Sequence, residues 1–243
     1  MNAARPLHAA LAANQHTVKR VISLAWLVTF SATLTLLGCA PEDSGSLRVM
    51  NLAPDVKALD LFDDGDLLFN SVNYSEVSDY ESLSVGPHQL RAAIHDSFTA
   101  LSDERETIGN GNDYTLFVFG FGADADAILT LDDNSKPDSG RAKLRFVQGS
   151  PSSANVDVYI SAPNERLVDL IPTFENERFE DVTEYVDSEE GDYRVRITEK
   201  GTVKLLADTG AFHLNDGEVS SVVYLDKQGG GAPFGIAIYT DAD

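Results

Sequence analysis

Acidic side chains make up most of the groups in this sequence that could carry out chemistry, and they form two clusters. The clusters are Asp60, Asp63, Asp64 and Asp66, and Asp132, Asp133, Asn134 and Asp138. Oxygen-rich loops can bind Ca²⁺, which takes about six to eight oxygen ligands. The second cluster departs from the Asp-x-Asx-x-Asx-Gly calcium loop, because Lys136 and Pro137 occupy positions that matter. We predict solvated turn acids and no metal site, with a calcium-dependent binding module as an alternative.

Histidine and serine do not form a catalytic pattern in the sequence. His88, His95 and His213 lack the spacing of metal ligands, and no Gly-x-Ser-x-Gly nucleophile elbow is present. His88 aligns with Tyr193 in the internal repeat described below, which indicates an ordinary strand position. We therefore predict no catalytic residues. A hydrolase acting on envelope glycan or peptide is the alternative.

Two arginine–aspartate pairs recur at equivalent positions. Arg48 and Asp60 are repeated as Arg145 and Asp157. If the first two strands of each copy form a hairpin, the two side chains lie on one face at cross-strand distance. We predict that each pair is a salt bridge that fixes the strand register, rather than a contact to a ligand.

Residues 1–38 have the features of a secretory signal peptide. Lys19 and Arg20 precede an apolar run over residues 21–37, and Gly38 stands before the only cysteine, Cys39. The sequence Leu-Leu-Gly-Cys at residues 36–39 resembles the lipobox of bacterial lipoproteins. That resemblance implies cleavage before Cys39, acylation of its thiol and anchoring in a membrane. Because Ala rather than Asp follows the cysteine, it also implies the outer membrane; an uncleaved anchor is the alternative.

The net charge of the chain disfavours some classes of partner. The sequence has 18 Lys and Arg against 39 Asp and Glu. Three of the basic residues lie in the signal, so the mature part has a net charge of −24. Such a charge disfavours nucleic acid and anionic lipid surfaces as partners. We predict no nucleic-acid partner and no cofactor.

The mature sequence contains an internal repeat. Residues 47–54 match residues 144–151 without a gap, at an offset of 97. Further along the chain the offset is 105, as far as the match of Phe119 with Tyr224. The second copy therefore has eight extra residues, which must lie within 161–173. A duplication of one domain is the simplest interpretation.

Each copy reads as about seven short strands, because apolar residues alternate with polar ones and turn residues separate the runs. We predict an all-β protein with two tandem antiparallel β-sandwich domains, immunoglobulin-like or transthyretin-like. A closed barrel is the alternative. The predicted boundaries are a signal peptide at 1–38, a tether at 39–45, a first sandwich at 46–132, a linker at 133–141 and a second sandwich at 142–243.

The sequence is similar to the family called domain of unknown function 4397. The similarity is carried by Leu-Arg-Val-x-Asn-x-Ala-Pro-Asp at residues 47–55, Leu-Asp-Leu-Phe at residues 59–62, Gly86 and Tyr114. It implies an exported bacterial protein, often lipid-anchored and commonly duplicated, with no established activity. We expect a lipid-anchored cell-envelope protein that is not an enzyme. Its expected role is binding, adhesion or structure, with an envelope protein or glycan as partner.

Overall fold

The structure is a computed structural model that describes residues 43–97 and 99–242. The predicted signal peptide, its cleavage site and Cys39 lie outside these residues and remain predictions. Within the described residues, no helix has the length and apolar character needed to cross a membrane. The first strand begins at Ser44, so residues 44 and 45 of the predicted tether belong to that strand.

The first repeat folds into eight strands and one short 3-10 turn at Gly122–Asp124. The strands are β1 Ser44–Leu52, β2 Ala58–Asp63, β3 Asp66–Asn73, β4 Glu81–Ser84, β5 Gly86–Ile94, β6 Ala100–Ile108, β7 Asp113–Phe119 and β8 Asp126–Asp132. They form an inner sheet in the order β4-β1-β7-β8 and an outer sheet in the order β3-β2-β5-β6.

The second repeat folds in the same way, with a 3-10 turn at Leu167–Asp169 in its extra residues. Its strands are β9 Arg141–Gln148, β10 Val156–Ser161, β11 Phe174–Glu177, β12 Val186–Glu189, β13 Gly191–Glu199, β14 Leu205–Leu214, β15 Val219–Leu225 and β16 Gly235–Ala242. Its inner sheet has the order β12-β9-β15-β16 and its outer sheet the order β11-β10-β13-β14.

The protein is therefore all-β, with two sandwich halves of the same topology. The predicted all-β sandwich fold is confirmed, and each half also contains one parallel strand pair. β1 pairs with β7 in parallel, and β9 pairs with β15 in parallel. A parallel pair needs a crossover connection, which here consists of the strands that intervene between the two partners.

The first strand of each half is buried on both faces, so its alternate side chains face two different cores. Leu47 and Val49 of β1 point into the core between the inner and outer sheets. Met50 and Leu52 belong to a different cluster, which includes Phe117 and Phe119 of β7 and Val147, Val223 and Leu225 of the second half. This cluster packs the two inner sheets against each other. The two sandwich halves are thus joined along a shared core.

The predicted register of the repeat is wrong by one residue in its last part. Asn51 pairs with Val118, and its equivalent Gln148 pairs with Tyr224. The structural equivalent of Tyr224 is therefore Val118, and the predicted match with Phe119 is not observed. In a strand, a shift of one residue exchanges the two faces. Phe119 accordingly lies between the halves, whereas Tyr224 lies in the core of the second half.

The two halves lie side by side with their corresponding ends together. We call the end where β1 and β9 begin the proximal end, and the opposite end, with the loops at residues 53–57 and 226–234, the distal end. At the distal end, the Gly229 N–H donates to the Pro54 carbonyl across the junction (2.6 Å). The described part of the chain begins at the proximal end, with β1.

Candidate functional site

A buried polar network joins the halves near the proximal end. Arg48 lies on the same face of β1 as Met50, so its side chain enters the junction between the inner sheets. Its Nη2 atom lies 2.5 Å from Asp241 Oδ1 of the second half, and its Nε donates to Thr115 Oγ1 at 2.8 Å. Asp241 in turn accepts from Ser221 Oγ at 2.7 Å and from the Tyr185 hydroxyl at 2.8 Å.

The same arrangement occurs with the halves exchanged. Arg145 of β9 donates from Nε to Ser221 Oγ at 2.7 Å, and its Nη2 lies 2.7 Å from Asp132 Oδ1 of the first half. The Arg145 and Asp132 atoms are close but poorly aligned for a hydrogen bond, so the contact is an ion pair. Asp132 accepts from the Thr115 hydroxyl at 2.6 Å and from the Tyr80 hydroxyl at 2.7 Å.

The network is buried, which strengthens its ion pairs and shields its groups from solvent. The side chains of Arg48 and Asp241 are 4% and 0% exposed. Burial lowers the pKa of Arg48, but Asp241, Tyr80 and Asp132 outweigh it and the pKa is raised, so the guanidinium stays charged. Burial, then Asp132, raises the pKa of Tyr80, which keeps its hydroxyl protonated as a donor. The network therefore holds the halves together and exposes no reactive group.

The predicted Arg48–Asp60 and Arg145–Asp157 salt bridges are wrong. β1 lies in the inner sheet and β2 in the outer sheet, so these strands do not form the assumed hairpin. Asp60 Oδ1 instead accepts from the Ser71 N–H and lies 2.8 Å from His95 Nδ1.

Asp157 has a comparable structural role on the outer sheet of the second half. Its two carboxylate oxygens accept the backbone N–H groups of Asn176 and Gly201, at 2.9 and 2.6 Å. Asp60 and Asp157 line hollows of about 290 and 600 Å³ at equivalent places. Because both carboxylates accept backbone N–H groups of neighbouring segments, they are not free to act as a base or nucleophile there.

His88 is placed as an ion-pair partner of Asp63 rather than as a free metal ligand. It groups with Asp63 and Asp64 closely enough to suggest a cation site. However, its Nδ1 lies 2.9 Å from Asp63 Oδ1, and its Nε2 lies 2.9 Å from the Ser84 carbonyl oxygen. Both partners are acceptors, so both ring nitrogens must donate. A doubly protonated imidazole has no lone pair for a metal, and this geometry favours a buried ion pair.

The side chains of the second polar cluster, at residues 132–134, point in different directions. Asp132 enters the junction between the halves, while Asp133 pairs with Lys143 at 2.7 Å. The Asn134 amide donates to the Tyr80 hydroxyl and to Asp113. Their oxygens do not converge on one point as calcium ligands would.

A cleft of about 540 Å³ opens at the distal end, between the two halves. From the first half, Lys57 and the turn Asn73, Tyr74 and Ser75 line it. From the second half, residues 225–228 and 233–237 line it. Its volume lies within the usual range for small-molecule sites, roughly 300–1,000 Å³. Sequence reasoning missed this cleft, because its two walls come from loops more than a hundred residues apart.

The walls of the cleft are held in place by buried contacts. The Tyr74 hydroxyl donates to the Asp226 carbonyl at 2.8 Å, which ties the two walls together. The Asp226 carboxylate accepts from the Ser150 hydroxyl and from the Gly231 N–H, so it fixes the loop that forms one wall. Phe234 packs against Tyr224, with ring centroids 5.4 Å apart. The cleft is thus preformed rather than assembled from free loops.

Comparison with solved structures gives loose overlaps with other proteins. A streptococcal virulence factor that binds alpha-glucan shares 10% identity at a TM-score of 0.27, covering 81% of this chain and 96% of that one. CBMbc from Eubacterium rectale, in complex with maltoheptaose, shares 8% at a TM-score of 0.25, covering 82% and 98%. A putative adhesin from Bacteroides ovatus shares 13% at a TM-score of 0.23, covering 84% and 97%. Overlaps this loose carry no argument about what the chain binds.

No curated protein matches the chain. The match to a family is confined to the first repeat and the beginning of the second. Residues 45–159 match the model of the family described as domain of unknown function, DUF4397, and this confirms over those residues the resemblance noted in the sequence.

Proposed function

We propose that the protein is a lipid-anchored, non-catalytic binding module of the bacterial cell envelope, and that the distal cleft is its ligand site. The observation that carries the proposal is the preformed cleft with one wall from each half. Ligand sites are commonly concave, largely apolar and located where two domains meet. The buried network and the shared core hold the two walls at a fixed separation.

The direction of the strands supports an outward-facing cleft. Cys39, the expected point of acylation, precedes Asp43 by only four residues, and an extended chain spans at most about 3.3–3.6 Å per residue. The proximal ends of both halves would then stay near the membrane. β1 has nine residues, which at about 3.3 Å per residue place the distal end roughly 30 Å farther out.

The surroundings of the titratable groups favour binding over catalysis. Among the described residues, His88, His95 and His213 each face an aspartate, and the most buried acids face arginines or backbone N–H groups. The cleft itself contains Asp226, whose carboxylate is already bonded to the protein. We therefore favour a binding module over the hydrolase alternative.

A blocked cleft tests the proposal. Gly235 lines the cleft, and a Cβ atom at this position would meet nothing within 4 Å. We expect Gly235→Trp to fold normally and to fill the cleft. Ser82→Trp, at an exposed position on edge strand β4, is the matched control.

The assay is binding of the full chain to an array of envelope and extracellular glycans and peptides. Ligands of the wild type should be retained by Ser82→Trp and lost by Gly235→Trp. Equal binding by Gly235→Trp would show that the cleft is not the site. Release of a cleaved product from a bound ligand would favour the hydrolase.

A further inference from the structure

We infer that the distal cleft recognises an acidic saccharide, with its carboxylates held between Lys57 and Lys227. This inference rests on the proposed function and names the ligand class for the same site. The two lysines stand on opposite walls, one from each half. Within the described part of the chain, neither ammonium group has an ion-pair or hydrogen-bond partner.

The distribution of lysine supports an anionic ligand. The mature part has six lysines, and four of them, at positions 57, 200, 204 and 227, lie in distal loops. This concentration stands out because the mature part has a net charge of −24. Lys204 pairs with Glu199, whereas Lys57, Lys200 and Lys227 have no ion-pair partner within the described residues. Positive charge that is left unpaired on such a protein attracts anions selectively, since the rest of its surface repels them.

The acids near the two lysines are engaged elsewhere. Asp226 in the cleft wall is only 4% exposed, and its oxygens accept from Ser150 and Gly231. Asp55 accepts the Gly122 N–H, and Glu76 accepts from the Asn73 amide. None of these carboxylates lies within ion-pair distance of Lys57 or Lys227 in the described residues. The positive charge is therefore available to a ligand.

The remaining lining fits a sugar better than a bare anion. The Gln228 amide and the Ser75 hydroxyl can exchange hydrogen bonds with ring hydroxyls, as can the part of the Asn73 amide that is not bonded to Glu76. Phe234, Pro233 and Ile236 offer apolar surface to the face of a ring. Carboxylates, hydroxyls and apolar ring faces occur together in saccharides built from uronic acids. That combination matches the three kinds of group in the cleft.

The test compares one saccharide with and without its charge. The full chain, purified in detergent, is titrated with an oligogalacturonate and with its methyl ester, which keeps the ring and loses the carboxylate charge. We expect the acid to bind at least about tenfold more tightly than the ester, and its affinity to fall as salt is raised. Inorganic phosphate serves as a bare-anion probe and should compete only weakly.

The lysine variants complete the test. Lys57→Glu and Lys227→Glu should each weaken oligogalacturonate binding at least about tenfold. Lys200→Glu, the same charge change at an exposed distal position outside the cleft, should change it by less than about twofold. Absence of oligogalacturonate binding by the folded wild type would overturn the inference, as would equal binding of acid and ester.

The outcomes also separate this inference from the proposed function. If neutral saccharides bind and Gly235→Trp abolishes their binding, the cleft is the site and the acidic ligand class is wrong. If Gly235→Trp leaves all binding intact, the proposed function fails together with the inference.

Discussion

Removal of the Asp241 charge should reveal how strongly the buried network holds the two halves together. The variant Asp241→Asn keeps the size of the side chain. In the wild type, one oxygen faces Arg48 and the other accepts from the Ser221 and Tyr185 hydroxyls. An amide has only one oxygen, so its NH₂ group must face either a guanidinium or two hydroxyl donors.

The expected magnitude follows from the burial of the pair. Two unit charges at 4 Å attract by about 4 kcal/mol at an effective dielectric constant of 20. Breaking a buried ion pair by removal of one partner typically costs about 3–5 kcal/mol. Asp132 Oδ2, at 3.8 Å from Arg48 Nε, offsets part of the loss. We therefore expect Asp241→Asn to lower the free energy of unfolding by about 3 kcal/mol.

Urea unfolding followed by circular dichroism measures this change. The matched control is Glu199→Gln, which breaks the Lys204–Glu199 pair, whose side chains are 70% and 44% exposed. We expect that control to cost less than about 1 kcal/mol. A double-mutant cycle with Arg48→Met should give a coupling energy of about 1–3 kcal/mol. A loss below about 1 kcal/mol for Asp241→Asn, or no coupling, would refute the reasoning.

Three further predictions concern other parts of the molecule. Burial lowers the pKa of His88, but the Ser84 carbonyl and Asp63 outweigh it and the pKa is raised. The ion pair should therefore stabilise the fold fully below about pH 6.5 and lose its effect as pH rises through the folded pKa. Urea titrations should show that the difference in unfolding free energy between wild type and His88→Gln becomes smaller as pH rises. A difference that grows with pH would contradict this. Gly45→Ala should lower the free energy of unfolding in urea by about 1–3 kcal/mol, because its Cβ would lie 2.6 Å from the Gly109 carbonyl oxygen. Gly235→Ala, whose Cβ would meet nothing within 4 Å, should lower it by less than about 0.5 kcal/mol. Equal losses would disprove the steric reason. Mass spectrometry should find the chain cleaved before Cys39 and acylated there, and an unmodified wild-type thiol would be the contrary result.

The sequence predicts the secondary structure well where the pattern is local. Alternation of apolar residues and turn signals predicts an all-β chain, and the repeat predicts two halves of one topology. The one-residue error at Phe119 and Tyr224 has a physical cause. β7 and β15 are apolar on both faces, so composition does not distinguish the face toward the core from the face toward the other half.

The partners of Arg48 and Arg145 could not be read from the sequence. The recurrence of arginine between apolar residues of equivalent strands indicates a buried cation in each half. The acids that neutralise them, Asp241 and Asp132, lie near the end of the last strand of the opposite half, and no local spacing relates them to their arginines. The distal cleft depends on the same long-range arrangement, which local pattern reasoning cannot supply.

The exchange of acids between the halves resembles the interface of a two-fold homodimer. In such a dimer each subunit uses the same patch, and residue i of one meets residue j of the other. Here both subunits lie in one chain, so their association does not depend on protein concentration. Fusion also frees the two copies to diverge. The loop at residues 226–234 is longer than its counterpart at residues 120–125, so the two sides of the contact between the halves are not identical.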